Sequence, residues 1–171
     1  MQVFLMATLT MLLFSSMPQE SGSSTSWRPA KEAELKEIIP ARAPVEKERI
    51  ETEFRTASAI TDGKGRFVAG VVLITAGYSA EGKYSHFLLT QVPIRVAEAT
   101  LRPGEYVMGF RKSEESLTVR IFDARNGALL ATVSAPRTSR VGRIESFHIF
   151  PPSPKPMIQI GRFAFPFELE P

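Results

Sequence analysis

The feature that most constrains this chain is a succession of short β-type runs, each closed by a turn dipeptide. From Phe54 onward the turn signals are Asp62-Gly63, Glu81-Gly82, Pro103-Gly104 and Asn126-Gly127. No long helical pattern separates the runs, and strands at this spacing are typical of antiparallel architectures. We expect an all-β fold, a single antiparallel β-sandwich or small barrel over residues 56–171, preceded by a signal segment and a charged linker.

The stretch "ATLRPGEYVMGF" (Ala99–Phe110) is predicted to be a strand, a turn and a second strand. Pro103 presets the turn, and Gly104 is expected to adopt the positive φ of a type II turn. After the turn, every second side chain is large and apolar and faces one side of a strand: Tyr106, Met108 and Phe110. The same alternation near the end of the chain places Phe163, Phe165 and Phe167 on one face, with Pro166 at a sheet edge or a strand end.

The Asn126-Gly127 hairpin allows a choice of register. A three-residue loop with Gly127 left-handed pairs Ala124 with Ala128 and collects the apolar residues on one face. A two-residue loop would mix apolar and polar residues on both faces. Because a one-residue slip reverses every side chain, the register with one apolar face is preferred. Its members are Leu117, Val119, Ile121, Leu129, Ala131, Val133 and Ala135.

Residues 1–23 are typical of a signal peptide. The apolar run Val3–Phe14 is shorter than the roughly 20 residues that a membrane-spanning helix needs, and a small polar region follows it. The alternative is a buried N-terminal helix. We expect an exported protein, periplasmic or extracellular, that meets a membrane only through this segment.

Residues 24–55 are predicted to be a flexible linker. Seven Lys or Arg and seven Glu lie between Arg28 and Arg55, and Pro29, Pro40 and Pro44 interrupt regular structure. A short helix over Ala30–Ile39 would end at Pro40. The segment is either a spacer that holds the domain off a membrane or wall, or a solvated tail.

Few residues in this sequence are suited to catalysis or metal binding. The chain has no cysteine, which excludes disulfides, thiol catalysis and Cys-ligated metals. Its two histidines, His86 and His148, lie in predicted strands, where each either faces outward or is hydrogen-bonded in the interior. Zinc-protease, nucleophile-elbow and nucleotide-binding motifs are absent from the sequence. We therefore expect no catalytic residues, no metal, no cofactor and no enzymatic activity.

The loop "APRTSRVGR" is the strongest candidate for a binding site. Arg137, Arg140 and Arg143 stand three apart with no acid between them, and clustered guanidinium groups bind phosphate, sulfate or carboxylate. The alternative is a solvated loop between strands. The expected partners are an anionic envelope polymer or another envelope protein. Nucleic acid is not expected, because aromatic residues do not interleave with the basic ones.

Four stretches carry a resemblance: "YSHFLLTQVPIRV", "ATLRPGEYVMGF", "IFDARNGALLATV" and "IQIGRFAFPFEL". Over residues 84–169 the chain resembles small exported bacterial β-domain proteins of unassigned function. The resemblance implies a location and an architecture, and it brings no catalytic residues.

Three functional hypotheses follow. The leading one is an exported, non-enzymatic β-domain that binds a ligand or takes part in an envelope assembly. The second is a lipocalin-like carrier, a closed barrel that holds a small apolar ligand. The third is a hydrolase whose site has no recognisable motif.

Overall fold

The computed structural model describes residues 26–75, 83–139 and 142–171. The predicted signal peptide, the Glu81-Gly82 turn and Arg140 lie outside the described residues. The described chain is mostly β-structure in antiparallel sheets, with one short helix, which confirms the all-β prediction at that level.

The elements in chain order are β1 (Arg28–Pro29), α1 (Glu32–Ile38), β2 (Arg42–Val45), β3 (Glu48–Thr61), β4 (Phe67–Leu73), β5 (His86–Thr90), β6 (Ile94–Val96), β7 (Ala99–Leu101), β8 (Gly104–Lys112), β9 (Ser116–Asp123), β10 (Leu129–Pro136), β11 (Glu145–Phe150), β12 (Met157–Gly161), β13 (Phe163–Pro166) and β14 (Glu168–Leu169). The large sheet has the order β1-β3-β4-β5-β8-β9-β10, and β2 also pairs with β3. Two three-stranded sheets have the orders β11-β12-β13 and β14-β6-β7.

Both faces of the large sheet are apolar and covered. Its strand β4 is a nearly continuous apolar run, "FVAGVVL", in which six residues are buried, as expected of a strand without a solvent face. The β11-β12-β13 sheet covers the first face and shares one hydrophobic cluster with it. That cluster includes Leu88, Met108, Leu117, Val119, Ile121, Phe147, Ile149, Ile158, Ile160, Phe163, Phe165 and Phe167. The burial of Phe163, Phe165 and Phe167 confirms the predicted phenylalanine face, and β13 lies at a sheet edge, as Pro166 requires.

The N-terminal segment covers the second face, and the prediction of a flexible linker over residues 24–55 was wrong for this part of the chain. From Arg28 onward the segment forms β1, α1, β2 and the start of β3. Ile39, Ala43, Val45 and Ile50 are buried against the sheet. The prolines and charges that suggested a linker lie around these apolar residues, whose burial stabilises the segment in its place. The expected short helix is confirmed as Glu32–Ile38.

The sheets are not closed into a barrel. Between the large sheet and β13 there is one isolated bridge, Arg137 to Phe163, in place of a ladder. On the other side β11 meets β3 through a side chain, because the Ile149 amide donates to the Ser58 hydroxyl over 2.9 Å. The barrel alternative was therefore wrong.

The register defines two ends of the space between the layers. At the first, which we call the capped end, Thr90 pairs with both Val68 and Gly104. The β14-β6-β7 sheet closes this end, since Val92, Ile94 and Leu101 belong to the core cluster. At the opposite end, which we call the groove end, Lys112 pairs with Leu117 and the β12–β13 turn lies beside the end of β10.

The predicted β9–β10 register is confirmed over most of the hairpin. Val119 pairs with Val133 and Leu117 with Ala135, and Gly127 has a φ of +68°. Near the turn the structure differs. The Asp123 amide donates to the Ala128 carbonyl over 2.9 Å, so the loop contains Ala124 in addition to the three residues expected. A register shift at Leu129–Ala131 restores the pairing, so Leu129 is exposed although it was expected on the apolar face.

The Pro103-Gly104 turn also differs from the prediction. Gly104 does not adopt a positive φ and is the first residue of β8. The strands on either side of Arg102 and Pro103, β7 and β8, belong to different sheets. This segment therefore carries the chain from one sheet to another and does not form a hairpin.

Candidate binding groove

A groove of about 460 Å³ opens at the groove end, between the large sheet and the β12–β13 hairpin. Its volume lies within the range of about 300–1,000 Å³ that is usual for small-molecule sites. The residues that line it are Phe110, Lys112, Leu117, Arg137, Ile144, Ile160, Gly161, Arg162 and Phe163. We call this site the cationic groove, because its lining contains three cations and no carboxylate.

Strand alternation places Lys112 in the cationic groove. Every second position of β8 lies on the face that packs against the β11-β12-β13 sheet. These positions include Met108, Phe110 and Lys112. Lys112 is the last residue of β8 and is exposed. The strand therefore changes from core to a charged rim within two residues.

The tight turn between β12 and β13 places Arg162 on the side of the groove opposite Lys112. Ile160 pairs with Phe163, so Gly161 and Arg162 form a two-residue hairpin loop. Gly161 has a φ of +60°, a conformation that turns of this length require and that glycine adopts without strain. The turn leaves the Arg162 side chain exposed, while Ile160 and Phe163 at its two ends are buried.

Arg137 is the most firmly held of the three cations. Its guanidinium donates to the Glu114 carbonyl over 3.0 Å and lies 5.7 Å from the centroid of the Phe163 ring. Its backbone amide bonds to the Glu115 carbonyl over 2.9 Å. These contacts fix the charge at the point where the two layers meet.

The cations of the groove keep their charge available for a ligand. Among the described residues, no carboxylate lies within ion-pair distance of Lys112, Arg137 or Arg162. Glu114 and Glu115 belong to the nearby β8–β9 loop, but only their carbonyl oxygens contact Arg137. An anion that entered the groove would meet no carboxylate in its lining.

The structure describes two of the three arginines that the sequence singled out, and it places them differently. Arg137 lines the groove, whereas Arg143 forms an ion pair with Glu145 at 3.3 Å. The Arg143 carbonyl also accepts a hydrogen bond from Gln159. Arg140 lies outside the described residues. The anion-binding prediction for the loop therefore remains a prediction, with Arg137 as the one described arginine of the three in the groove.

Comparison with known proteins assigns neither a family nor a function to this chain. No protein-family model, curated protein or solved structure matches this chain. In the described ranges no helix has the length and apolar character to span a membrane.

His86 lies behind Phe110, with ring centroids 6.0 Å apart, and against Phe147 at 5.4 Å. Burial lowers its pKa to about 4, so the ring is neutral in neutral solution. Nδ1 lies 2.8 Å from the Ser85 hydroxyl and Nε2 is buried. A hydrogen bond between the ring and the Ser146 backbone partly offsets the effect of burial on the pKa. His86 is therefore an interior residue, which is one of the two placements expected for it.

His148 is half-buried, and burial lowers its pKa. Its Nδ1 lies 3.4 Å from the hydroxyl of Ser58, which also accepts the Ile149 amide. This serine thus connects β3 to β11. Over the described part of the chain, no group of three or more His, Asp or Glu side chains is placed to hold a metal ion.

Lys112 and Arg162 are the groove residues that the sequence analysis missed. Each stands next to apolar residues of a predicted strand, Lys112 after "EYVMGF" and Arg162 at the start of "RFAFPFEL". The available signal was a cation at the exposed end of an apolar strand face. Their common location depends on how two sheets pack, which strand patterns do not reveal.

Proposed function

We propose that this protein is an exported, non-enzymatic binding domain that holds an anionic ligand in the cationic groove. The observation that carries the proposal is the lining of the groove, in which Lys112, Arg137 and Arg162 surround apolar residues and no carboxylate is present. Guanidinium groups bind carboxylates and phosphates through paired hydrogen bonds, and Lys supplies a mobile charge. An anionic component of the cell envelope is the ligand we favour.

The arrangement supports binding more than catalysis. His86 is 4% exposed, so it lies out of reach of a substrate in solution. His148 Nδ1 lies 3.4 Å from the hydroxyl of Ser58. That serine is 7% exposed, and its hydroxyl already accepts a hydrogen bond from the Ile149 amide. The lipocalin-like hypothesis needs a closed barrel, and the sheets here do not close. The hydrolase hypothesis has no observation in its favour.

The double variant K112S/R162S is expected to lose most of its retention on an immobilised anionic polymer such as dextran sulfate. Both side chains are exposed and neither forms a described ion pair, so thermal stability should change little. Salt-gradient elution of the full chain measures the effect. The parent should elute at clearly higher salt, because screening over about 10 Å at moderate salt weakens such contacts.

The matched control is the double variant R49S/K64S, which removes the same charge from exposed positions outside the groove lining. It should elute close to the parent. If both double variants shift equally, retention reflects net charge alone, and the cationic groove is not the binding site.

Export is tested by the N-terminus of the mature protein. If the apolar run is a signal, protein purified from its native host should begin between about Ser16 and Trp27. Edman sequencing or intact mass measures this directly. Full-length protein recovered from the cytosol would contradict the proposal of export while leaving the binding proposal open.

A further inference from the structure

We infer that the ligand of the cationic groove is an anionic amphiphile, with its apolar chain against the groove floor and its anionic head between Lys112, Arg137 and Arg162. This inference rests on the proposed function and names the ligand class for the same site. It follows from three properties of the groove: the composition of its floor, the position of its charges and the neutrality of what lies behind it.

The floor of the groove is apolar and continuous with the core. Phe110 and Leu117 come from the large sheet, and Ile160 and Phe163 come from the smaller one. Leu117, Ile160 and Phe163 belong to the main core cluster, against which Phe110 packs. Leu117, Ile160 and Phe163 are already buried, so a ligand chain lying there would remove from water mainly the exposed parts of Phe110 and Ile144.

The charges stand at the rim and on both sides of the floor. Lys112 belongs to the large sheet, whereas Arg162 belongs to the β12–β13 turn. Arg137 lies between these layers and is held by the Glu114 carbonyl and the Phe163 ring. A single anionic head can therefore be approached from two layers, while an elongated polar anion would leave the apolar floor uncovered.

The groove presents no buried charge to an apolar chain. The titratable group behind Phe110 is His86, whose ring is neutral above about pH 4 because burial lowers its pKa. The chain of the ligand therefore meets neutral rings and aliphatic side chains. An ionised histidine at this depth would have opposed it.

A single amphiphile fits these observations better than the surface of a bilayer. The apolar surface of the site lies within the groove. Two isoleucines at this end of the molecule are exposed, and only one of them lines the groove. Ile144 is 56% exposed and lines the groove, whereas Ile74 is 54% exposed and lies outside its lining. A ligand inside the groove would contact Ile144 and not Ile74, whereas binding that depends on both isoleucines would indicate a wider surface.

Calorimetry with three probes below their micelle concentrations tests the ligand class on the full chain. The probes are decyl phosphate, inorganic phosphate and decyl maltoside, which carry head and chain, head alone, and chain with a neutral head. Decyl phosphate should bind tightest. Each methylene that enters the groove should tighten binding about fourfold, so octyl phosphate should bind up to about sixteenfold more weakly.

Two pairs of variants locate the binding. K112S/R162S should weaken decyl phosphate binding about tenfold or more, since each charge-assisted hydrogen bond is removed. Ile144→Asp should also weaken it about tenfold, because it places a carboxylate at the mouth. The controls are R49S/K64S and Ile74→Asp, which make the same chemical changes outside the groove lining and should leave affinity within about twofold.

The outcomes separate the inference from the function on which it rests. Equal affinity for inorganic phosphate and decyl phosphate would overturn the amphiphile while leaving anion binding in place. Binding of anionic vesicles that is lost with both Ile74→Asp and Ile144→Asp, without binding of free decyl phosphate, would replace it with a membrane surface. If neither the polymer nor any phosphate binds, the inference and the proposed function both fail.

Discussion

Replacing Gly127 by alanine is expected to lower the free energy of unfolding by about 2–4 kcal/mol, from the combined cost of left-handed strain and overpacking. Gly127 has a φ of +68°, which any Cβ disfavours. The new methyl group would also fall on the carboxylate of Glu46 and 2.8 Å from the Tyr84 hydroxyl. Chemical denaturation monitored by circular dichroism measures the loss.

The crowding around Gly127 comes from the N-terminal segment. Glu46 lies in the β2–β3 turn, and its amide bonds to the Ala124 carbonyl over 2.5 Å. The Tyr84 hydroxyl donates to the Glu46 carboxylate, and this hydrogen bond lowers the pKa of Glu46. Because Tyr84 is 1% exposed, its ring cannot move away easily from a new methyl group. The Glu46 carboxylate is exposed, but it could move away only by giving up its hydrogen bond to Tyr84.

A double-mutant cycle separates strain from contact. In the Glu46→Gly background, Gly127→Ala should cost at least about 1 kcal/mol less than in the parent, because the carboxylate is gone, while the strain and the contact with the Tyr84 hydroxyl remain. The control is Asn126→Ala, which removes one exposed hydrogen bond to the Ala128 amide and should cost about 1 kcal/mol. Equal losses for Asn126→Ala and Gly127→Ala would contradict the observed loop.

Gly70→Ala is expected to destabilise the protein by about 3 kcal/mol, the upper part of the usual range for overpacking. An added Cβ would lie 2.5 Å from the ring of Phe147 and 2.9 Å from the Phe87 carbonyl. The ring packs across the layers and the carbonyl belongs to the neighbouring strand. Thermal unfolding should show a fall in Tm of at least several degrees.

The control for Gly70 is Gly142→Ala, whose Cβ would meet no atom within 4 Å. It should change stability by no more than about 0.5 kcal/mol. In the Phe147→Leu background, Gly70→Ala should cost less than in the parent, since a smaller side chain leaves room for the methyl group. An unchanged Tm for Gly70→Ala would mean that the two sheets pack less closely than the structure has them.

Local patterns predicted the elements of the second half well. The face of β9 and β10 that carries Val119 and Val133 followed from the rule that one face must be apolar, because a slip of one residue is costly over the whole strand. The loop itself was one residue longer, and Leu129 and Leu130 lie exposed beside it. Local sequence does not determine where such a bulge forms.

The N-terminal layer was beyond local prediction because its apolar residues are few and far apart. Ala43, Val45 and Ile50 make no periodic pattern among the charges around them. The continuous apolar run of β4 indicates a second covering layer, since a strand that is buried on both faces needs one on each side. The sequence does not say which segment supplies that layer.

The candidate site was predictable only in part. Arg137 followed from the basic loop, but Lys112 and Arg162 lie 50 residues apart and meet through the packing of two sheets. Arg143 belongs to the same basic loop and yet is paired with Glu145. Charge counting along the chain cannot distinguish a paired cation from an available one.

The described chain enters and leaves the molecule at the capped end. Arg28 pairs with Thr61 there, and Leu169 pairs with Ile94 in the sheet that closes it. The cationic groove opens at the opposite end. Tethering the protein to a bead, a sensor chip or a fusion partner through its C-terminus should therefore present the groove outward, so this orientation of immobilisation suits a search for its ligand.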